Sequence, residues 1–232
     1  MNFDYELVRS KRRTLGISVA DARVTVRAPL KAPRHWIEGF LTEKARWIEA
    51  KLSEQQHQLS EVYRIENGAI LPILDQALTV VLHKGNRTQV QHRNDELHIS
   101  APHDTNGIID QRRATEAFQR WIKRRAEQVM TVRTIELAQS AGLSTRLGEV
   151  RYRRTKTKWG HCAPDGTIQY NPMILLAPVF VVDYIIAHEV AHLKHANHSQ
   201  RYWRYVDRLF DQREEAEQWL KQQGHKLAMT IA

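Results

Sequence analysis

The sequence predicts an α+β protein: an N-terminal region of strands and helices with a faint internal repeat, then a C-terminal region built around a metal-binding helix. Three observations carry this. Short stretches of alternating apolar and polar residues, bounded by Pro, Gly and Asp, fill the first hundred positions. Two long amphipathic stretches follow Pro29 and Pro102. An apolar segment from Pro178 to Ala187, interrupted only by Asp183, runs directly into His188-Glu189-Val190-Ala191-His192. At 232 residues the chain suffices for two small domains, expected at 1–102 and 103–232.

Taken in order, strands are expected over 15–19 and 23–28, joined by a tight turn at Asp21-Ala22 and ended by Pro29. A helix over 33–59 follows, with Trp36, Phe40, Trp47 and Ile48 on its apolar side. Strands over 69–74, 78–83, 88–93 and 96–100 precede Pro102, and a long helix over 107–141 ends at Gly142. The repeat lies here. VTVRAP leads to a helix carrying Arg46-Trp47-Ile48, and LHISAP leads to one carrying Arg120-Trp121-Ile122, with both tryptophans expected as core anchors. Beyond Gly142, strands over 149–154 and 167–171 flank the Pro164-Asp165-Gly166 turn. Helices over 200–210 and 212–223 follow the metal motif, and the tail over 226–232 is expected to be loose.

Composition narrows the classes. The longest apolar run stops short of a membrane span, and the N-terminus lacks an apolar signal core. One cysteine, Cys162, excludes an internal disulfide framework and fits a reducing cytoplasm. The net charge of +9, gathered at Arg9 to Arg13, Arg120 to Arg125 and Arg146 to Lys158, favours anionic partners, a nucleotide or nucleic acid among them.

The chemistry is concentrated in HEVAHLKHANH, residues 188–198. His188 and His192 are one helical turn apart and share a face. Three neutral imidazoles leaving one position open is the arrangement of catalytic zinc. His198 and His195 compete for the third place. A helix that continued would set His195 in line with the other two, whereas convergence on one ion favours His198, past a turn that Asn197 can make in left-handed geometry. Glu189 is placed to take a proton from water that a divalent cation acidifies. The expected activity is zinc-dependent hydrolysis of peptide bonds. Two alternatives use the same residues: a metal-dependent nucleotide pyrophosphatase, disfavoured by the lack of a phosphate-cradling Gly-rich loop, and a protease acting on nucleic-acid-associated proteins.

With SKRRTLGISV, VTVRAP, ARWIEAKL and above all KTKWGHC through GTIQYNPMILLAPVFVVDYIIAHEVAHLKHANHSQRYW in view, the chain resembles the YgjP-like metallopeptidases, zincins related at the site to SprT-type and gluzincin domains. The resemblance implies His188, His192 and His198 as metal ligands, Zn2+ as cofactor, Glu189 as catalytic acid/base and a peptide or protein substrate. It also implies an edge strand at 167–171 beside the substrate, so that Gln169 and Asn171, with the Tyr202 hydroxyl, are expected to bind it. Asp183 or Tyr184 is expected to orient a ligand. Two positions depart from the family pattern: His161 stands where a small residue usually follows Trp-Gly, and Leu74-Asp75-Gln76 where Leu-Gly is more usual.

Overall fold

The computed structural model describes residues 3–228, so the last four residues of the expected loose tail lie outside the described residues. The fold is mixed α+β, and the chain divides into two compact units after Val62. This boundary differs from one at 102. The strands between 70 and 101 share a single apolar core with the helices that follow them, so they cannot be detached from the C-terminal half.

In the first unit, β1 (Tyr5–Ser10) pairs in parallel with β3 (Arg23–Pro29), and β2 (Gly16–Ala20) pairs antiparallel with the other side of β3. Asp21 and Ala22 both adopt positive φ, the geometry of a two-residue hairpin whose twist matches its strands. Helix α1 (Arg34–Ser60) buries Ile37, Leu41 and Ile48 against Val24, Val26 and Ala28. Trp36 and Trp47, expected on the buried side, are 44% and 46% exposed. The core stripe follows the smaller residues at 37, 41 and 48, and the indoles flank it.

The second unit begins with a four-stranded sheet, in the order β4 (Ile70–Ile73), β5 (Gln76–Lys84), β7 (Glu96–Ala101), β6 (Gln89–Arg93). As in the first unit, the strand before the long helix is central, parallel on one side and antiparallel on the other. The two Arg-Trp-Ile segments nevertheless behave differently, because Trp121 packs on the core beside Phe118 while Trp47 is exposed. Helix α2 (Gln111–Ser140), capped by the Asp110 carboxylate on the Arg113 N–H, buries Phe118, Ile122, Ala126 and Met130.

A three-stranded sheet then forms, in the order β8 (Val150–Tyr152), β10 (Ile168–Tyr170), β9 (Gly160–Cys162). It is keyed to α2 by hydroxyls: Tyr170 meets Thr134 at 3.1 Å and Tyr152 meets Thr131 at 2.9 Å. Strand β10 is therefore central, paired with β8 in parallel and β9 antiparallel, and it is not the edge that the sequence suggested. The edges are β8 and β9; β9 is a three-residue strand that begins at Gly160, too short to show alternation.

Helix α3 (Val179–His192) lies under this sheet and is buried on almost every face: Val181, Val182, Ile185, Ile186 and Val190 are all in the core. At about 1.5–3 kcal/mol for each such side chain, its position is fixed by packing rather than helix propensity. Its start is held from a distance. Leu74 and Asp75 form the β4–β5 turn with positive φ, which explains why glycine is the usual choice there, and the Asp75 carboxylate accepts the Val179 N–H at 3.2 Å. Asp183 pairs with Arg133 of α2, so it ties two helices together and does not orient a histidine. Helices α4 (Gln200–Leu209) and α5 (Arg213–Gln223) close the unit.

Candidate metal centre

Helix α3 stops at His192, the last residue of its final turn, and the chain reverses through 193–197. Asn197 does not take left-handed geometry. The reversal is made earlier, with the His195 N–H on the Ala191 carbonyl, and is closed by Ser199, which caps α4 through the Tyr202 N–H. This brings His198 back over the helix end. One ring nitrogen from each of His188, His192 and His198 lies within 4.8 Å of the other two. His188 Nε2 and His198 Nε2 are 3.2 Å apart. His195 is not in this group: its ring packs edge-on against Tyr205, and its backbone carbonyl accepts a hydrogen bond from His192 Nδ1 at 3.0 Å. That bond fixes the tautomer of His192 and leaves Nε2 with its lone pair free.

The aromatic surroundings hold the rings. Tyr202 stacks on His192, with centroids 4.6 Å apart, and its hydroxyl donates to the His188 carbonyl at 3.0 Å. Trp203 stacks on His198 at 5.3 Å, and the Arg213 guanidinium covers the Trp203 ring. Tyr184 meets His188 edge-on while its hydroxyl donates to Glu217 at 2.9 Å. Tyr202 is thus a positioning group. Its buried hydroxyl is committed to the backbone, which removes it as a substrate contact. Asn171 is equally committed: its side chain donates to the Thr155 carbonyl and accepts the Met173 N–H. Gln169 sits in the central strand β10, opposite His161 of β9. The cleft, of 540 Å3, is lined by the three grouped histidines and Glu189, with Lys158, Gly160, His161, Cys162, Tyr184 and Glu217 around them.

Electrostatics suit a cation. Burial, then the neighbouring His192 and His198, lower the His188 pKa to about 4, so its ring is neutral and able to ligate at physiological pH. His192 is lowered too, chiefly by burial. Burial pushes Glu189 up to about 8, against the pull of the Lys158 charge and of a hydrogen bond from the Cys162 backbone. Glu189 is only 4% exposed, a carboxylate kept in an apolar helix beside the histidine group. It fits there because Gly160 has no side chain: a Cβ at that position would stand 2.3 Å from Glu189 Oε1 and 2.6 Å from its Cγ. No local sequence pattern announces this contact, since Gly160 and Glu189 are far apart in the chain.

Three converging imidazoles, one with its tautomer set by a backbone carbonyl, match the donor set of a four-coordinate divalent cation with one open position. The residues present therefore fit a catalytic metal.

Comparison with known proteins agrees with this chemistry. The family model described as "YgjP-like, metallopeptidase domain" matches residues 13–223. Among solved structures, the metallopeptidase zymogen abylysin of Pyrococcus abyssi is similar at 25% identity, over 40% of this chain and 94% of that one, with a TM-score of 0.37. No curated protein matches. Since the family match spans both units and the whole histidine motif, the chain belongs to the YgjP-like metallopeptidases and is a metal-dependent peptidase.

Proposed function

We propose that the protein is a zinc peptidase in which His188, His192 and His198 hold the ion and Glu189 is the general base and acid. The grouping of the three ring nitrogens within 4.8 Å, beside a buried carboxylate, is the observation that carries this reading. Zinc held there supplies Lewis-acid polarisation of the scissile carbonyl and acidifies a water. Glu189 takes a proton from the attacking water as its oxygen bonds to the carbonyl carbon. It then delivers that proton to the departing nitrogen as the C–N bond breaks. Burial raises the Glu189 pKa in the metal-free protein, and a dication held by the three histidines would oppose that shift and favour the carboxylate form that accepts the proton. Tyr202 and Trp203 keep the rings of His192 and His198 in place meanwhile.

Hydrolysis of an unfolded protein such as casein is expected to stop on treatment with a chelator and to return on adding zinc. Activity that persists without metal contradicts the reading. No helix among the described residues is long and apolar enough to cross a membrane. A reducing cytoplasm remains the compartment proposed from the single cysteine.

A further inference from the structure

The cleft does not end at the histidines. A second cavity, of 570 Å3, shares Cys162, His192 and Ala196 with it and extends past them to Arg146, Asp165 and Lys194. Away from the shared residues the linings diverge, so room is present in two directions from the candidate metal centre. Strand β9, an edge of its sheet, borders this path, since Gly160, His161 and Cys162 all line the first cavity. A site of this form holds chain on both sides of a scissile bond.

Both arms carry positive charge. Lys158 lines the first, and its charge reaches Glu189. Arg146 and Lys194 line the second; Arg146 donates to the Leu193 carbonyl, and the Lys194 ammonium lies 4.3 Å from the centre of the Tyr205 ring. Of the acidic residues in the walls, Glu189 is buried, and Glu217 and Asp165 have hydrogen-bond partners. Glu217 is held by Arg213 at 3.2 Å and by the Tyr184 hydroxyl, and Asp165 accepts the Thr167 N–H at 2.9 Å. A cationic side chain thus stands in each arm of the groove.

Resting on the peptidase reading above, we propose that the site cuts within acidic segments of polypeptides, with Asp or Glu side chains on both sides of the scissile bond facing Lys158 in one arm and Arg146 and Lys194 in the other. Charge complementarity of this kind selects partners chiefly by penalising like charge.

The test uses peptides with one common core, acetylated and amidated so that neither end is free, carrying Glu or Lys on both flanks. The wild-type protein with zinc is expected to cleave the Glu-flanked peptide at least about tenfold faster in kcat/KM, a ratio that shrinks as salt is raised. The double variant K158E/K194E is expected to invert the preference, which misfolding cannot produce. Equal rates on the two peptides, a preference unchanged in the variant, activity lost on both peptides in each single variant, or cleavage only when an end is left free overturns the proposal. Casein, cut by the wild type and spared by Glu189→Gln, reads the peptidase assignment separately. If casein is cut but the flanks make no difference, the acidic-segment inference alone falls; if nothing is cut, both fall.

Discussion

Glu189→Gln is expected to lower kcat by about 10²–10⁴-fold with the metal still bound, because it removes the proton carrier and leaves the three imidazoles in place. The amide is nearly isosteric with the carboxylate, so the packing against Gly160 survives. A second readout separates this from a structural effect. In the metal-free protein Glu189 is raised from 4.5 to about 8 by burial. The folded state therefore holds its proton where the unfolded chain has lost it, and stability falls as pH rises from 4.5 to 8. The amide does not titrate, so the metal-free variant should lose less stability across that window in thermal melts. An active Glu189→Gln enzyme, or parallel pH profiles for the two melts, contradicts the role and the burial respectively.

Gly160→Ala is expected to cost about 10²-fold in kcat/KM, the scale on which a misplacement of about 1 Å acts. The methyl group would sit on Glu189 Oε1, Cγ and Cδ, at 2.3 to 2.7 Å, so the carboxylate must swing away. The atoms met are those of one side chain from Cγ outward, with no backbone atom among the three nearest, so the fold is expected to hold while the carboxylate moves. Gly160 does not occupy left-handed backbone geometry, and alanine adds no backbone strain there. Circular dichroism and metal content should match the wild type while hydrolysis falls. Full activity in this variant would show that Glu189 need not stand where it does.

Much of the site was legible because its signal is local. One helical turn between His188 and His192 dictates a shared face, and an apolar lead-in dictates a buried helix. Long strands and helices were legible for the same reason, as was the positive-φ turn at Asp21-Ala22. What escaped was set by tertiary pairing. Strand β9 has three residues and a glycine, so its place at the sheet edge follows only from β10 being paired on both sides. Asn171 and Tyr202 carry side chains suited to substrate, but the fold spends them on capping and on the His188 carbonyl. Asp75 acts across more than a hundred residues, on the first N–H of α3, which no local pattern announces. Trp47 illustrates the converse: a large apolar residue on a helix, which the flanking stripe of smaller residues leaves at the surface.

The account stands on one cation held by two imidazoles of α3 and one from the bend after it. Elemental analysis of protein purified without added metal measures this directly, on the wild type and on His198→Ala and His195→Ala. About one zinc per chain in the wild type and in His195→Ala, with most of it lost in His198→Ala, is the predicted result. Zinc retained in full by His198→Ala and lost from His195→Ala would contradict it.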